Sequence, residues 1–153
     1  MPDFNTISPW KDMIRCTLSD AGTVNHYFGE TGYAEDGTDG QVMVEIPKFY
    51  YRKYSYGGKH SWSVSIDPKP GYKLHPAFIG NDGLVKEKIY ISAFEGVAQE
   101  IATGNYYEDA ADAAPVALDD SLYMLASVAG YKPKSYQQLP EFRTMCNNRG
   151  STW

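Results

Sequence analysis

A glycine pair at positions 57 and 58 separates two segments in which alternate residues differ in polarity. The segments read FYYRKYSY over residues 49–56 and HSWSVSI over residues 60–66. A period of two is typical of a β-strand, and Gly-Gly suits the positive φ angles of a two-residue hairpin turn. The sequence therefore predicts an antiparallel hairpin in which Tyr56 faces Lys59, and every later pair follows from that register.

The predicted register gives the hairpin two chemically different faces, because alternate residues of a strand share a face. One face is largely apolar, and we expect it to pack against a core: Phe49, Tyr51, Lys53, Trp62, Val64 and Ile66. The other face is our candidate ligand- or partner-binding surface: Tyr50, Arg52, Tyr54, Tyr56, Ser61, Ser63 and Ser65. Tyrosine gives contact area at low entropic cost, and serine gives adaptable hydrogen bonds. The alternative is that another part of the chain or another subunit covers this second face.

Other patterns predict further strands, loops and helices. Ser8-Pro9 resembles a helix start, with apolar residues at helical spacing up to Leu18. Strands are predicted over residues 23–28, 42–47 and 87–95, and an extended segment over 72–78. Residues 29–40 are assigned to turns, 97–115 to a variable loop with at most one helical turn, and 121–129 are left unassigned. Leu139 to Arg149 forms the clearest helix, with Gly150 as its stop.

Composition restricts the classes of function. The net charge is −5 and no basic stripe is present, which argues against a dedicated nucleic-acid binder. The chain lacks an apolar run of membrane-spanning length, so we expect no membrane insertion. Its first residues lack the apolar core of a signal peptide, which predicts synthesis in a cytoplasm. Cys16 and Cys146 have no zinc-type spacing, and we expect reduced, mostly buried thiols.

Candidate catalytic and metal-binding residues are few. The three histidines (His26, His60 and His75) have no identifiable serine or cysteine partner, and a structural hydrogen bond is the preferred interpretation for His75. The acids between positions 108 and 120 are irregularly spaced, which favours a solvated loop over a cation site: Glu108, Asp109, Asp112, Asp119 and Asp120. We therefore expect no enzyme activity, no metal and no cofactor.

Four phrases in order carry a resemblance to a known group of proteins. They are IPKFYYR, PGYKLHPAF, IYISAFEG and LPEFRTMCNNRGSTW, which together span residues 41–153. In this order they resemble tailed-bacteriophage and prophage virion proteins with a C-type-lectin-like fold. The wider group includes tropism determinants varied by diversity-generating retroelements and, more remotely, the formylglycine-generating enzyme fold. The calcium-dependent sugar motifs of animal lectins and the paired cysteines of the formylglycine enzyme are absent.

The resemblance implies an α+β domain with a twisted antiparallel sheet, two or more short helices and long loops. Residues 1–40 would form a helix and loop segment of the same domain, and residues 41–153 would form the lectin-like part. In the family, further strands follow the segment that matches RGSTW, so we expect the domain to be incomplete at its C-terminus.

The function that the resemblance implies is that of a virion component, made in the host cytoplasm. The first hypothesis is a tail-fibre or receptor-binding module that recognises a host surface glycan or protein. The alternative is a structural collar, baseplate or capsid-decorating protein whose aromatic faces contact other virion proteins or copies of itself. A catalytic relative of the formylglycine enzyme is the third hypothesis.

Overall fold

A computed structural model describes residues 3–108 and 117–150, which form an α+β fold made mostly of strands. Ten strands and one α-helix are present in these two ranges: β1 (Ile14–Leu18), β2 (Val24–Tyr27), β3 (Gln41–Pro47), β4 (Tyr50–Tyr56), β5 (Lys59–Ser65), β6 (Lys73–Leu74), β7 (Lys88–Ser92), β8 (Val97–Glu100), β9 (Tyr106–Tyr107), β10 (Tyr123–Ala126) and α1 (Leu139–Asn147). Three short 3₁₀ turns complete the elements: Phe4–Thr6, Trp10–Asp12 and Pro76–Phe78. The predicted α+β class with antiparallel strands is confirmed. We expected two or more short helices, and the described ranges contain one α-helix.

The chain divides into two units, each made of two segments. The first, which we call the hairpin unit, contains Met1–Ile14 and Val44–Ile91. The second, which we call the helix unit, contains Arg15–Met43 and Ser92–Trp153. Strand β3 belongs to both, because its first three residues lie in the helix unit and the rest in the hairpin unit.

The hairpin unit is built on a three-stranded sheet in the order β5-β4-β6. The predicted register is confirmed over its whole length, from Tyr56 opposite Lys59 to Tyr50 opposite Ser65. Both turn glycines have positive φ, 57° at position 57 and 75° at position 58, as a two-residue hairpin turn requires. Strand β6 pairs with the other edge of β4, where Lys73 lies opposite Tyr51.

Aromatic rings form the core at the base of this hairpin. Phe78 is fully buried, and its ring makes an edge-to-face contact with Phe49 at 5.2 Å between centroids. The His75 ring lies 4.9 Å from that of Phe49, and its Nδ1 accepts a hydrogen bond of 3.3 Å from the Ala77 N–H. The structural role predicted for His75 is confirmed. The fully extended path predicted for residues 72–78 is wrong, because Pro76 begins a 3₁₀ turn that buries Phe78.

The helix unit contains two groups of strands. Strand β1 lies between β2 and the start of β3, and β8 lies between β10 and β9. Val97, Ala126 and Val128 are buried together, with Tyr106 packed against them. The predicted C-terminal helix is confirmed as α1. Glu141 accepts the Gln138 N–H at 2.6 Å in a capping box, and Met145 is fully buried.

Two predicted elements need correction, and one unassigned segment is now assigned. The helix expected after Ser8 is replaced by the turn Trp10–Asp12 and strand β1, because Cys16 and its neighbours are buried in sheet pairing that overrides the local helical spacing. Residues 97–108 hold strands β8 and β9 instead of a loop, and Val97 is fully buried; residues 109–116 lie outside the described ranges. The unassigned segment 121–129 contains strand β10.

Close backbone contacts and strand ends set the geometry of the helix unit. Gly40 has φ of 109°, and a Cβ there would lie 2.3 Å from the carbonyl oxygen of Leu18. The Ala93 N–H donates to the Val42 carbonyl oxygen at 3.0 Å.

Among the described residues, no helix has the length and apolar character needed to cross a membrane.

Candidate functional site

The outer end of the β4–β5 hairpin exposes large aromatic side chains. Tyr56 is 87% exposed, Trp62 is 62% exposed and Tyr54 is 46% exposed. Exposed rings of this size on one element are unusual, because burying an aromatic side chain is strongly favourable. The outer end of this hairpin is therefore our candidate functional site.

The tyrosine–serine face is exposed at its outer end and covered at its base. Tyr50, Ser61 and Ser63 are partly buried, Ser65 is buried, and Arg52 is exposed. The Ser63 hydroxyl forms a 2.5 Å hydrogen bond with the Tyr72 hydroxyl, so the segment before β6 lies over this base. The Arg52 guanidinium lies 5.7 Å from the ring centre of Tyr54. Of the residues selected from the sequence, Arg52, Tyr54 and Tyr56 are available to a ligand, whereas Ser65 is not.

The opposite face, which the sequence assigned to a core, is also open at its outer end. We call Tyr51, Lys53, Ser55, His60 and Trp62 the Trp62 face. The rings of Tyr51 and Trp62 stack with centroids 5.8 Å apart and planes 28° from parallel. The Lys53 ammonium lies 5.2 Å from the Trp62 ring centre, a cation–π contact, and the Ser55 hydroxyl and His60 Nδ1 are 2.8 Å apart.

The expectation that Trp62 packs into a core is wrong. Alternation assigns Trp62 to a face correctly, but only the inner part of that face meets the core formed by Phe49 and Phe78. The sequence did contain a signal for this, because the register places Lys53 directly opposite Trp62. A lysine on a presumed core face indicates that the face reaches solvent at that point.

The hairpin is also electrically distinct from the rest of the chain. Residues 50–65 contain three basic residues, Arg52, Lys53 and Lys59, and no Asp or Glu, although the chain carries a net charge of −5. Within residues 3–108 and 117–150, none of these three side chains forms an ion pair. The exposed rings therefore lie among cations whose charge is not neutralised locally.

Two charged clusters in the helix unit have structural roles. His26 Nδ1 lies 2.8 Å from the Asp39 carboxylate, which also accepts a 2.5 Å hydrogen bond from the Thr17 hydroxyl. The hydroxyl contacts the acid and not the imidazole, so this is not the order of a nucleophile–base–acid triad. In the second cluster, Glu35 accepts bonds of 2.7 Å from the Tyr33 hydroxyl and the Arg15 guanidinium, and these bonds lower the pKa of Glu35.

Among the described acidic residues between positions 108 and 120, Glu108 and Asp119 bond to different parts of the chain. Glu108 accepts the Lys132 N–H at 2.9 Å, and Asp119 accepts the N–H and hydroxyl of Ser121. Asp109 and Asp112 lie outside the described ranges. In the part of the chain that the structure describes, no three potential metal-ligating side chains of the His, Cys, Asp and Glu types form a group.

A cleft in the helix unit brings a thiol close to a buried cation. It measures about 200 Å³ and is lined by Gln41, Ser92, Gly96, Leu125, Ala126, Ser127, Cys146 and Arg149. Neither cysteine forms a disulfide; Cys16 is buried and Cys146 is partly buried. Burial raises the pKa of the Cys146 thiol, which opposes formation of the nucleophilic thiolate. The cleft wall therefore supplies a thiol but neither a histidine nor a carboxylate to activate it.

The search against protein-family models, the search of curated proteins and the search of solved structures each returned no match to this chain.

Proposed function

We propose that this chain is a bacteriophage virion module, of the tail-fibre or receptor-binding kind, that recognises a host surface glycan or protein. The observation that carries the proposal is the exposure of Tyr54, Tyr56 and Trp62 at the end of one rigidly paired hairpin. Rigid aromatic side chains give large contact areas while losing little conformational entropy on binding. Together with the ordered phrases that resemble lectin-like virion proteins, this geometry favours recognition over chemistry.

The finer assignment of the fold belongs to the same proposal. A C-type-lectin-like domain combines antiparallel sheets with a helix, and the chain has both. An experimental structure in which the strands follow a different connectivity from that fold would count against the assignment, without affecting the binding role of the hairpin.

Binding of the purified chain to bacterial cells tests the recognition role. A double variant, Tyr54→Ala with Tyr56→Ala, removes two exposed rings and should reduce cell binding at least about tenfold, since truncating a central interface aromatic commonly costs more than 1 kcal/mol. Tyr136→Asn is the matched control, because Tyr136 is 70% exposed in the helix unit and asparagine tolerates its φ of 59°. Equal loss of binding in both variants, or binding by neither variant nor the parent chain, would refute the role.

Mass spectrometry of purified virus particles tests the location. If the chain is a virion component, its peptides should co-purify with particles through a density gradient. Peptides found only in the soluble fraction of the lysed host would contradict this part of the proposal.

A structural virion protein is the second candidate, and a separate observation favours it. Ile79 and Val85 pair in an isolated bridge and are 49% and 52% exposed, and neighbouring Leu84 is 68% exposed. Clustered exposed aliphatic residues often mark a contact with another protein. A Leu84→Asp variant that converts an assembly into a monomer in light scattering would favour this candidate, whereas a parent chain that is already monomeric at high concentration would oppose self-association.

A further inference from the structure

The Trp62 face combines an exposed aromatic surface with an unneutralised cation. Trp62 retains 62% of its surface exposed although it stacks on Tyr51, and the Lys53 ammonium lies 5.2 Å from its ring centre. Stacking and cation–π contact both restrict the indole orientation, so that little side-chain entropy is lost when a ligand covers it. A flat, fixed ring suits a ligand whose own surface carries C–H bonds, because these are attracted to the negative face of the ring.

The charged residues of strands β4, β5 and β6 are all basic. Lys73 lies opposite Tyr51 across the β4–β6 pairing and is exposed, so it shares the face with Lys53. Lys59 and Arg52 extend the positive charge to the turn and to the other face. Over residues 50–65 there is no carboxylate to oppose them. The complementary ligand is therefore an anion.

The outer end of the face supplies polar hydrogen-bonding groups. The Ser55 hydroxyl and the His60 ring face each other across the hairpin at 2.8 Å, and both residues are exposed. A hydroxyl and an imidazole can each donate to or accept from a ligand hydroxyl group. The Trp62 face of the hairpin thus presents an aromatic ring, a cation and further hydrogen-bonding groups.

We infer that the Trp62 face binds an acidic polysaccharide, with a sugar ring on Trp62 and its carboxylate or phosphate between Lys53 and Lys73. This inference rests on the proposed recognition role and adds the ligand class and the face that contacts it. It moves the main contact from the tyrosine–serine face, whose base is covered by Tyr72, to the opposite face. A nucleic acid is the less suitable polyanion, because its dense charge would meet a chain whose overall charge is −5.

Binding of the whole chain to defined polymers tests the inference. The probes are alginate for carboxylates, a glycerol-phosphate teichoic acid for phosphates, dextran as a neutral polysaccharide and an oligo(dT) strand as a nucleic acid, each measured by biolayer interferometry. We expect binding to at least one acidic polysaccharide and none to dextran, with affinity falling as salt rises. The stronger of the two acidic probes identifies the anion.

Variants of the Trp62 face show where the polymer binds. Trp62→Ala should weaken binding at least about tenfold, and Trp62→Phe should restore part of it. Lys53→Gln should weaken binding about twofold to fivefold, as expected for one exposed ion pair with a ligand. Lys86→Gln is the charge-matched control, since Lys86 is exposed in the same unit but outside the hairpin, and it should leave binding unchanged. Circular dichroism of each variant checks that the fold is retained.

Four outcomes would overturn the inference: no binding to either acidic polymer, equal binding to dextran, stronger binding to oligo(dT), or unchanged affinity in Trp62→Ala and Lys53→Gln. Its failure can be distinguished from failure of the proposed function. If cells are still bound and the Tyr54/Tyr56 double variant abolishes that binding, the recognition role stands and only the ligand class is wrong. If neither cells nor polymers are bound, both are wrong.

Discussion

Replacing Arg149 by methionine should destabilise the helix unit by about 3 kcal/mol. Only 2% of the Arg149 side chain is exposed, and its guanidinium donates to three groups. The distances are 2.7 Å to the Leu125 carbonyl oxygen, 2.7 Å to the Gln99 amide oxygen and 2.6 Å to the Asp20 carboxylate. Arg149, two residues after the end of α1, is thereby tied to strands β8 and β10 and to the turn that follows β1.

The expected loss of about 3 kcal/mol follows from how exposed each of these three hydrogen bonds is. The bonds to Leu125 and Gln99 are charge-assisted and shielded at the guanidinium, so each should contribute roughly 1 to 2 kcal/mol. The Asp20 side chain is 58% exposed, and solvent screening limits that ion pair to less than about 1 kcal/mol. Methionine keeps most of the apolar volume, so the loss reports mainly on the donors.

Urea unfolding followed by circular dichroism measures the effect as a change in the free energy of unfolding. Arg143→Met is the matched control, because Arg143 is an exposed arginine in the neighbouring helix α1; it should change stability by less than about 0.5 kcal/mol. Asp20→Asn should cost less than about 1 kcal/mol. The reasoning is refuted if Arg149→Met unfolds within 0.5 kcal/mol of the parent chain, or if Asp20→Asn is equally damaging.

Three further changes test other parts of the structure. Gly40→Ala should destabilise the fold by about 2 kcal/mol or more, because the new methyl group would collide with the Leu18 carbonyl oxygen. Gly83→Ala is the control: its φ is 77° but the space around it is open, so it should cost about 1 kcal/mol. Thermal unfolding compares the two variants. Phe78→Ala should destabilise the hairpin unit by about 3 to 5 kcal/mol in urea unfolding, and a loss below 1 kcal/mol would mean that the ring is not in a core. Glu35 has a lowered pKa, so its pairing stabilises the fold above the ordinary glutamate pKa and is lost as pH falls through the lowered value. Glu35→Gln should therefore cost up to about 1 kcal/mol at pH 7 and progressively less as the pH falls below the ordinary glutamate pKa, and a cost that does not change with pH would contradict this assignment.

The elements predicted well from the sequence are those fixed by neighbouring residues. A two-residue Gly-Gly turn specifies each cross-strand pair of the hairpin, and the capping residues around Pro140 specify the start of α1. The helical spacing between Trp10 and Leu18 predicts a helix where strand β1 forms, because spacing alone does not show that Cys16 pairs within a sheet. The small and acidic neighbours of Val97 predict a loop, although tertiary contacts bury this residue completely.

For the candidate site, the sequence predicted which residues share a face but not which face is open. Face membership follows from the period of a strand, a local property. Exposure depends on where distant segments pack: the Tyr72 hydroxyl meets Ser63 and covers part of one face, while Trp62 on the other face stays exposed. The register places Lys53 opposite Trp62, and this pair is the local signal that the outer part of the face reaches solvent.

The bond between the Ala93 N–H and the Val42 carbonyl has a consequence for how this protein can change. The chain leaves the helix unit after Met43 and returns to it at Ser92. Val42 directly precedes the first of these residues and Ala93 directly follows the second, so the bond joins the two ends of the 44–91 segment. Because strands β3 and β7 are paired neighbours in one sheet, residues 48–87 between them can lengthen, shorten or be exchanged for another segment without breaking that pairing. Grafting a foreign hairpin in place of residues 48–87 would therefore exchange the exposed aromatic residues while leaving strands β3 and β7 in place.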